Sequence, residues 1–222
     1  EVNVDPSELL KFEETIAEKV ATISTADDPA HDYLHSERVV KSAKKICVAE
    51  NGKLEVAIPA AWLHDFVVVP KNDPRRKMAS RLSAESAILF LDQIGYPKQF
   101  FENIAHAIES HSFSAQIEAT TLEAKIVQDA DRLDGLGAIG IARCFATAGL
   151  LKRPFYSNDD PMCTDRAPND RQFTVDHFFS KLFKTAETLQ TPSGRAEGAR
   201  RVQTMKTYMH DLERELLEWR QR

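Results

Sequence analysis

The sequence predicts an all-α fold, and three observations carry that prediction. Apolar residues recur every three or four positions through segment after segment, the spacing that lines one face of a helix. The breaks between those segments hold helix-ending chemistry, Asn51-Gly52 and then Gly95 ahead of Pro97. No run alternates long enough to build a sheet, and Val67-Val68-Val69 is at most a short extended piece.

Taken in order, Ser7 is placed to cap a first helix with Leu9, Phe12, Ile16, Val20 and Ile23 along one side. A second helix, about 31–50, buries the face of His35, Val39, Ala43 and Ile46, with Asp32 as a first-turn acid that suits the helix dipole. The third covers about 54–66, with Pro59 at its start or at a kink. A fourth spans about 80–94. The fifth, about 97–112, aligns Phe101, Ile104, Ile108 and His111. The sixth starts near Thr121, carries Asp131 and runs into Gly135, Gly137, Ala138 and Gly140, small residues that permit close packing. A loop rich in Pro, Asp and Asn occupies about 153–172, and two helices follow near 174–190 and 194–220. At 222 residues and 42% hydrophobic content the chain is expected to bury one core, so 1–222 reads as a single helical domain.

Composition removes several function classes. A net charge of −5 gives no electrostatic footprint for nucleic acid. Cys47, Cys144 and Cys163 are odd in number and lack Cys-x-x-Cys spacing, so free cytosolic thiols are expected rather than a disulfide scaffold or thiolate metal site. No apolar stretch is long enough to span a membrane, and the start of the chain has no signal-peptide pattern, so a cytoplasmic protein is expected.

His-Asp pairs occur at His31-Asp32, His64-Asp65 and His210-Asp211. His64-Asp65 stands apart because it closes the apolar run Ala57–Leu63, and an ionisable pair entering the interior must be paired or bound to metal. His210 has Lys206, Thr207, Glu213 and Arg214 as helical neighbours and is expected in solvent. On the second helix His35 is the better ligand, with His31 a supporting partner a turn earlier. With Asp131 from the sixth helix, the expected donors are His35, His64, Asp65 and Asp131. Two imidazoles and two carboxylates, with no thiolate, suit a single divalent ion; Mn²⁺ is favoured, with Fe²⁺, Co²⁺, Zn²⁺, Mg²⁺ and Ni²⁺ compatible. Such an ion lowers the pKa of a bound water toward neutrality, which suits hydrolysis of phosphate esters or anhydrides.

The order His35, His64-Asp65, Asp131 resembles the HD-domain metal-dependent phosphohydrolases. The segments HDYLHSERVV, AAWLHDFVVVPKNDPRRKMAS, AIESHSFSAQIEATTLEAKIVQDADRLDGLGAIGIAR and TVDHFFSKLF are similar to one bacterial branch of predicted hydrolases in that superfamily. The resemblance implies an HD core over about 28–150 with a C-terminal helical extension over about 151–222. It also implies the same four metal ligands and a phosphorylated small-molecule substrate. Nucleotide pyrophosphohydrolases and nucleoside monophosphatases belong to related branches.

After His64-Asp65 comes VVVPKNDPRRK, whose cations suit a polyphosphate. Lys71 and Arg76, which fall in the part resembling the family's KN-P-R pattern, are the expected substrate contacts, while the loop's other cations read as solvated. His111 shares the apolar face of the fifth helix and is expected, with Asp65, to be catalytic, as a general acid or an orienting group. His106 is expected at the surface. His177 and Lys181 share a helix edge resembling the family's HF-x-x-KL element and are expected to contact substrate.

The function expected is hydrolysis of a nucleoside triphosphate to monophosphate and pyrophosphate by metal-activated water. A nucleoside 5′-monophosphatase or another phosphomonoesterase or phosphodiesterase is the alternative. An iron oxygenase of the same fold and an inactive ligand-binding module rank below both. A homo-oligomer is compatible with the sequence.

Overall fold

Residues 4–24, 32–69 and 73–220 are described by a computed structural model, and no strand occurs among them. The all-α prediction holds. The helices are α1 (Pro6–Ile23), α2 (Tyr33–Ala49), α3 (Leu54–Leu63), α4 (Ala79–Gln93), α5 (Phe101–Ser110), α6 (Leu122–Leu133), α7 (Gly137–Leu150), α8 (Phe183–Glu187) and α9 (Pro192–Arg220). Short 3-10 turns lie at Pro74–Met78, Lys98–Phe100 and Phe113–Ala115, and a π turn at Phe178–Leu182 leads into α8. The chain divides into two compact units. The first comprises Glu1–Asp131 with Gln190–Ser193, and the second Arg132–Leu189 with Gly194–Arg222.

Helix α3 is the centre of the first unit. Every residue from Val56 to Leu63 is buried, because this helix is apolar on all sides and packs against α1, α2, α4 and α5. Pro59 lies inside it and has no amide proton to give to the Glu55 carbonyl one turn back. The Tyr96 hydroxyl supplies the missing bond, donating to that carbonyl at 2.6 Å. Tyr96 can reach because α4 ends at a left-handed Gly95 (φ +74°), with the amides of Gly95 and Tyr96 returning to the carbonyls of Asp92 and Leu91. Helix α2 ends in the same way on Asn51 (φ 58°), and Gly52 is needed next because an added Cβ would meet Ile126 and Cys47. The Glu123 carboxylate of α6 then accepts from the Lys53 amide at 2.8 Å, fixing the start of α3.

Several expected boundaries move. Asp5, rather than Ser7, caps α1, because Pro6 takes the first helical position and Asp5 accepts from the Ser7 amide. Asp32 caps α2 instead of sitting in its first turn. Helix α3 stops at Leu63, so His64 and Asp65 lie in the turn beyond it. The glycines after Asp131 do more than ease packing. Gly137 turns the chain at φ +72° and opens α7, a separate helix.

In the second unit, Phe145, Phe155, Phe178, Phe183 and Tyr208 form a ladder of ring contacts. The Arg201 guanidinium donates to the Leu133 carbonyl at 2.6 Å, and its stem passes so close to Gly137 that a Cβ there would crowd it. The long connection after α7 is tied by Arg166, bidentate on the fully buried Asp176 at 2.5 and 2.8 Å.

Candidate metal centre

Five titratable side chains meet in the first unit. His35 lies in the first turn of α2, whose start is set by Asp32 accepting from the His35 amide at 2.9 Å. His64 and His111 are placed by one repeated device. Each follows a ten-residue helix, α3 or α5, as a right-handed capping residue. The Nδ1 proton of each goes to the carbonyl three residues back, Ala61 at 2.7 Å for His64 and Ile108 at 2.6 Å for His111. A carbonyl can only accept, so in the neutral rings the lone pair sits on Nε2.

Those Nε2 atoms converge with two carboxylates. His35 Nε2 lies 3.3 Å from His64 Nε2 and 3.5 Å from Asp131 Oδ1, and His64 Nε2 lies 3.7 Å from the same Asp131 oxygen. Asp65 bridges the other side, with Oδ2 3.5 Å from His64 Nε2 and Oδ1 3.5 Å from His111 Nε2. Two overlapping donor sets result, His35–His64–Asp131 and His64–Asp65–His111.

The donor set fits a divalent cation. Bonds of about 2.0–2.2 Å to one tetrahedral ion leave donors ~3.4 Å apart, close to the 3.3, 3.5 and 3.7 Å separations within the His35–His64–Asp131 set. The His35 and His64 Nε2 atoms face each other at 3.3 Å, and a shared cation would take the lone pair of each. His35 and His64 are 2% and 0% exposed, while the Asp65 and Asp131 side chains are 37% and 28% exposed, so one edge stays open to a water or substrate oxygen.

The charges are strongly coupled. Burial pushes the His64 imidazole below its ordinary range against the pull of Asp65 and Asp131. Burial also works to raise the Asp65 carboxyl, but the imidazoles of His64 and His111 hold it well below the usual carboxylate range. Burial alone would lower His111, yet its bond with Asp65 prevails and it is pushed up to about 9. The Asp65–His111 pair therefore holds a proton at His111 Nε2 beside the cluster.

His35, His64, Asp65, Asp131 and His111 are thus brought together. Lys71 and His31 lie outside the described residues. Arg76 is exposed on the turn Pro74–Met78, with Nη1 donating to the Val69 carbonyl at 2.9 Å. Arg75 pairs instead with Asp73. His106 is half-buried rather than at the surface, its Nε2 accepting from the Thr120 amide at 3.0 Å. His210 is exposed, as expected. His177 and Lys181 belong to the second unit, His177 half-buried with Nδ1 on Asp170 at 2.9 Å and Lys181 exposed. Asp170 escaped the sequence reading, since nothing in a loop that also holds Asp159, Asp160 and Asp165 marks it out. His111 was read as an acid or orienting group; its place as a third imidazole beside His64 becomes visible only through the shared way the two helices end.

An HD domain family model matches residues 32–136. The uncharacterized protein YpgQ of Bacillus subtilis is 31% identical over 211 residues, 93% of this chain and 95% of that protein. Its crystal structure in complex with ADP superimposes with a TM-score of 0.73, covering 91% of this chain and 97% of that one. An HD-superfamily hydrolase from Bacillus thuringiensis, 27% identical, gives the same TM-score over 93% of this chain and 97% of that one.

Proposed function

The chain belongs to the HD-domain superfamily of metal-dependent hydrolases, and from that premise we propose that it cleaves nucleoside triphosphates to nucleoside monophosphate and pyrophosphate. The observation that carries this reading is the convergence of imidazole Nε2 atoms and carboxylates, with a short cationic turn following Asp65 in the chain. The B. subtilis relative's complex with ADP supports a nucleotide as the substrate class.

His35, His64, Asp65 and Asp131 would hold one divalent cation, which supplies an activated water at neutral pH and polarises a phosphoryl oxygen. Around it the chain's own groups act. His111, with its proton at Nε2 against Asp65, is the general acid for the departing oxygen. Arg76 spends one nitrogen on Val69 and keeps the rest of its fork for phosphate oxygens, with Lys71 as its companion. These cations favour the triphosphate, because departing pyrophosphate gains charge that a monophosphatase would not need to cradle. His177 and Lys181 are read as further substrate contacts. Free cysteines and the lack of any single described helix long and apolar enough to cross a membrane support a cytoplasmic setting.

The test is a product assay on a nucleotide panel after metal removal and controlled return. Pyrophosphate with monophosphate supports the proposal. Orthophosphate from monophosphates, with triphosphates untouched, transfers the case to a nucleotidase. Mn²⁺ is expected to give higher turnover than Zn²⁺ even where Zn²⁺ binds more tightly, because hardness and geometry govern the working metal. Faster turnover with Zn²⁺ overturns that choice.

A further inference from the structure

His64 and His111 close their helices in the same way, but the two helix ends are secured differently. At the end of α3 the Phe66 amide returns to the Leu63 carbonyl at 3.1 Å, so the chain ties that turn by itself. At the end of α5 the chain leaves at once, because Ser112 is extended at ψ 130°. Among the described residues no backbone amide donates to the Ser110 carbonyl, one of the acceptors that a helix C-terminus leaves over. The Gln128 side chain supplies the donor, with Nε2 2.8 Å from the Ser110 oxygen. Ser110 is fully buried and Gln128 is 5% exposed, so losing the bond would leave a buried acceptor unpaired.

Gln128 is itself held in one orientation. Its Oε1 accepts from the Gln190 side-chain amide, and since the Ser110 carbonyl can only accept, Nε2 is the end that faces it. Gln190 is fixed in turn by the fully buried Asp129. That carboxylate accepts from the Gln190 amide at 2.8 Å and from the Thr191 amide and hydroxyl at 2.7 Å each. All of these residues belong to the first unit. Asp131 follows Gln128 by three positions on α6, the spacing of neighbours on a helix surface. Helix α6 therefore presents Asp131 to His35 and His64, and Gln128 to the residue before His111.

The bond from His111 Nδ1 to the Ile108 carbonyl orients the ring with respect to α5. The bond from Gln128 ties the peptide joining Ser110 to His111 onto α6, the helix that carries Asp131. We propose that Gln128 is a positioning residue for His111, acting through the Ser110 carbonyl to set where the imidazole Nε2 stands against Asp65, 3.5 Å away. A shift of that peptide carries the ring with it, since the His111 side chain and amide share one Cα. Misplacing a reacting group by about 1 Å is enough to lower a rate by up to ~10²-fold. The proposal rests on reading His111 as the general acid, and it adds the residue that places it.

The experiment is a double-mutant cycle of Gln128→Met and His111→Gln on the full-length, metal-replete protein. Methionine matches the length of the glutamine side chain and lacks its donor. Gln128→Met should lower kcat on the order of tenfold, with KM and metal content unchanged. In the His111→Gln background the same substitution should change kcat by less than about twofold, because it acts only through that ring. A loss of equal size in both backgrounds, a change confined to KM, or departure of the metal overturns the assignment. Gln128→Asn keeps an amide that stops short of Ser110; it is the milder variant should Gln128→Met not fold, and the same outcomes decide. Histidine ¹⁵N spectra of the metal-stripped proteins add a readout without turnover. The His111 ring nitrogens should shift in the Gln128 variant while those of the exposed His210 stay, and unmoved His111 signals overturn the placement. A failed nucleotide panel leaves that spectrum still reading the placement, and an unmoved spectrum leaves the hydrolase reading standing without Gln128.

Discussion

In the first unit His64 and His111 give their Nδ1 protons to backbone carbonyls, whereas in the second His177 gives its own to the Asp170 carboxylate. The surroundings differ in sign as well. Two carboxylates face the Nε2 atoms of the first cluster, and two cations press on the ring in the second. A carbonyl on Nδ1 fixes the tautomer without adding charge, which leaves the lone pairs and the nearby carboxylates to attract a cation. A carboxylate on Nδ1 favours the charged ring, but burial and the two cations outweigh it and push the His177 imidazole below its ordinary range. One residue type therefore sits in surroundings of opposite sign, set by the charged groups packed around each ring.

The largest expected effect breaks the first cluster. Asp65 is the one residue shared between His64 and His111, so Asp65→Ala should abolish metal retention and lower turnover by about three orders of magnitude or more, the several kcal/mol a bound metal supplies. Elemental analysis and steady-state rates in excess metal check this, and full activity in that variant would remove Asp65 from the centre. A smaller effect separates ligand from acid. His111→Gln leaves His35, His64, Asp65 and Asp131 in place, so metal content should hold while turnover falls about 10²–10⁴-fold. If the metal leaves with His111, that ring is a ligand first.

The first cluster was largely legible from the chain because its residues terminate or stripe apolar segments. His64-Asp65 closes the run that becomes α3, and a charged pair there has nowhere to go but inward. His35 could be assigned because Val39, Ala43 and Ile46 share its face, and all three are buried. What failed was of another kind. Gly135–Gly140 reads equally as a packing surface or as a break, and only the left-handed Gly137 decides for a new helix. Ser7 and Asp5 both cap well, and Pro6 settles the matter through its own missing donor. The second cluster is joined by bonds between loop and helix, such as Asp170 to His177, which no local periodicity encodes.

The frame behind His64 can be tested by a cycle of modest size. Tyr96→Phe keeps the ring contacts with Phe12 and Phe100 but leaves the Glu55 carbonyl buried and unpaired, at a cost of about 1–2 kcal/mol. Pro59→Ala restores an amide able to bond that carbonyl, so Tyr96→Phe should cost less in the Pro59→Ala background. Urea unfolding of the four proteins measures the coupling. Equal costs in both backgrounds would mean that the Tyr96 hydroxyl does not replace the bond lost at Pro59.

The smallest effect lies in the second cluster and tests the source of its charge balance. Burial, Lys181 and Arg153 all lower the His177 imidazole, and Asp170 alone opposes them. Asp170→Asn removes that opposition and leaves both cations, so His177 should titrate lower still. Histidine NMR titrations of the two proteins read this directly, and a midpoint that stays or rises would remove Asp170 from the balance. Stability should respond weakly. Asp170 is held below the ordinary carboxylate range, first by its hydrogen bond with His177 and also by Ser180. Its contribution is therefore fully present above an unfolded value of about 3.9 and is lost as pH falls through the lower folded value. With the carboxylate about a third exposed, that contribution stays below ~1 kcal/mol, so the variant should lose a little stability at neutral pH and match the wild type in acid.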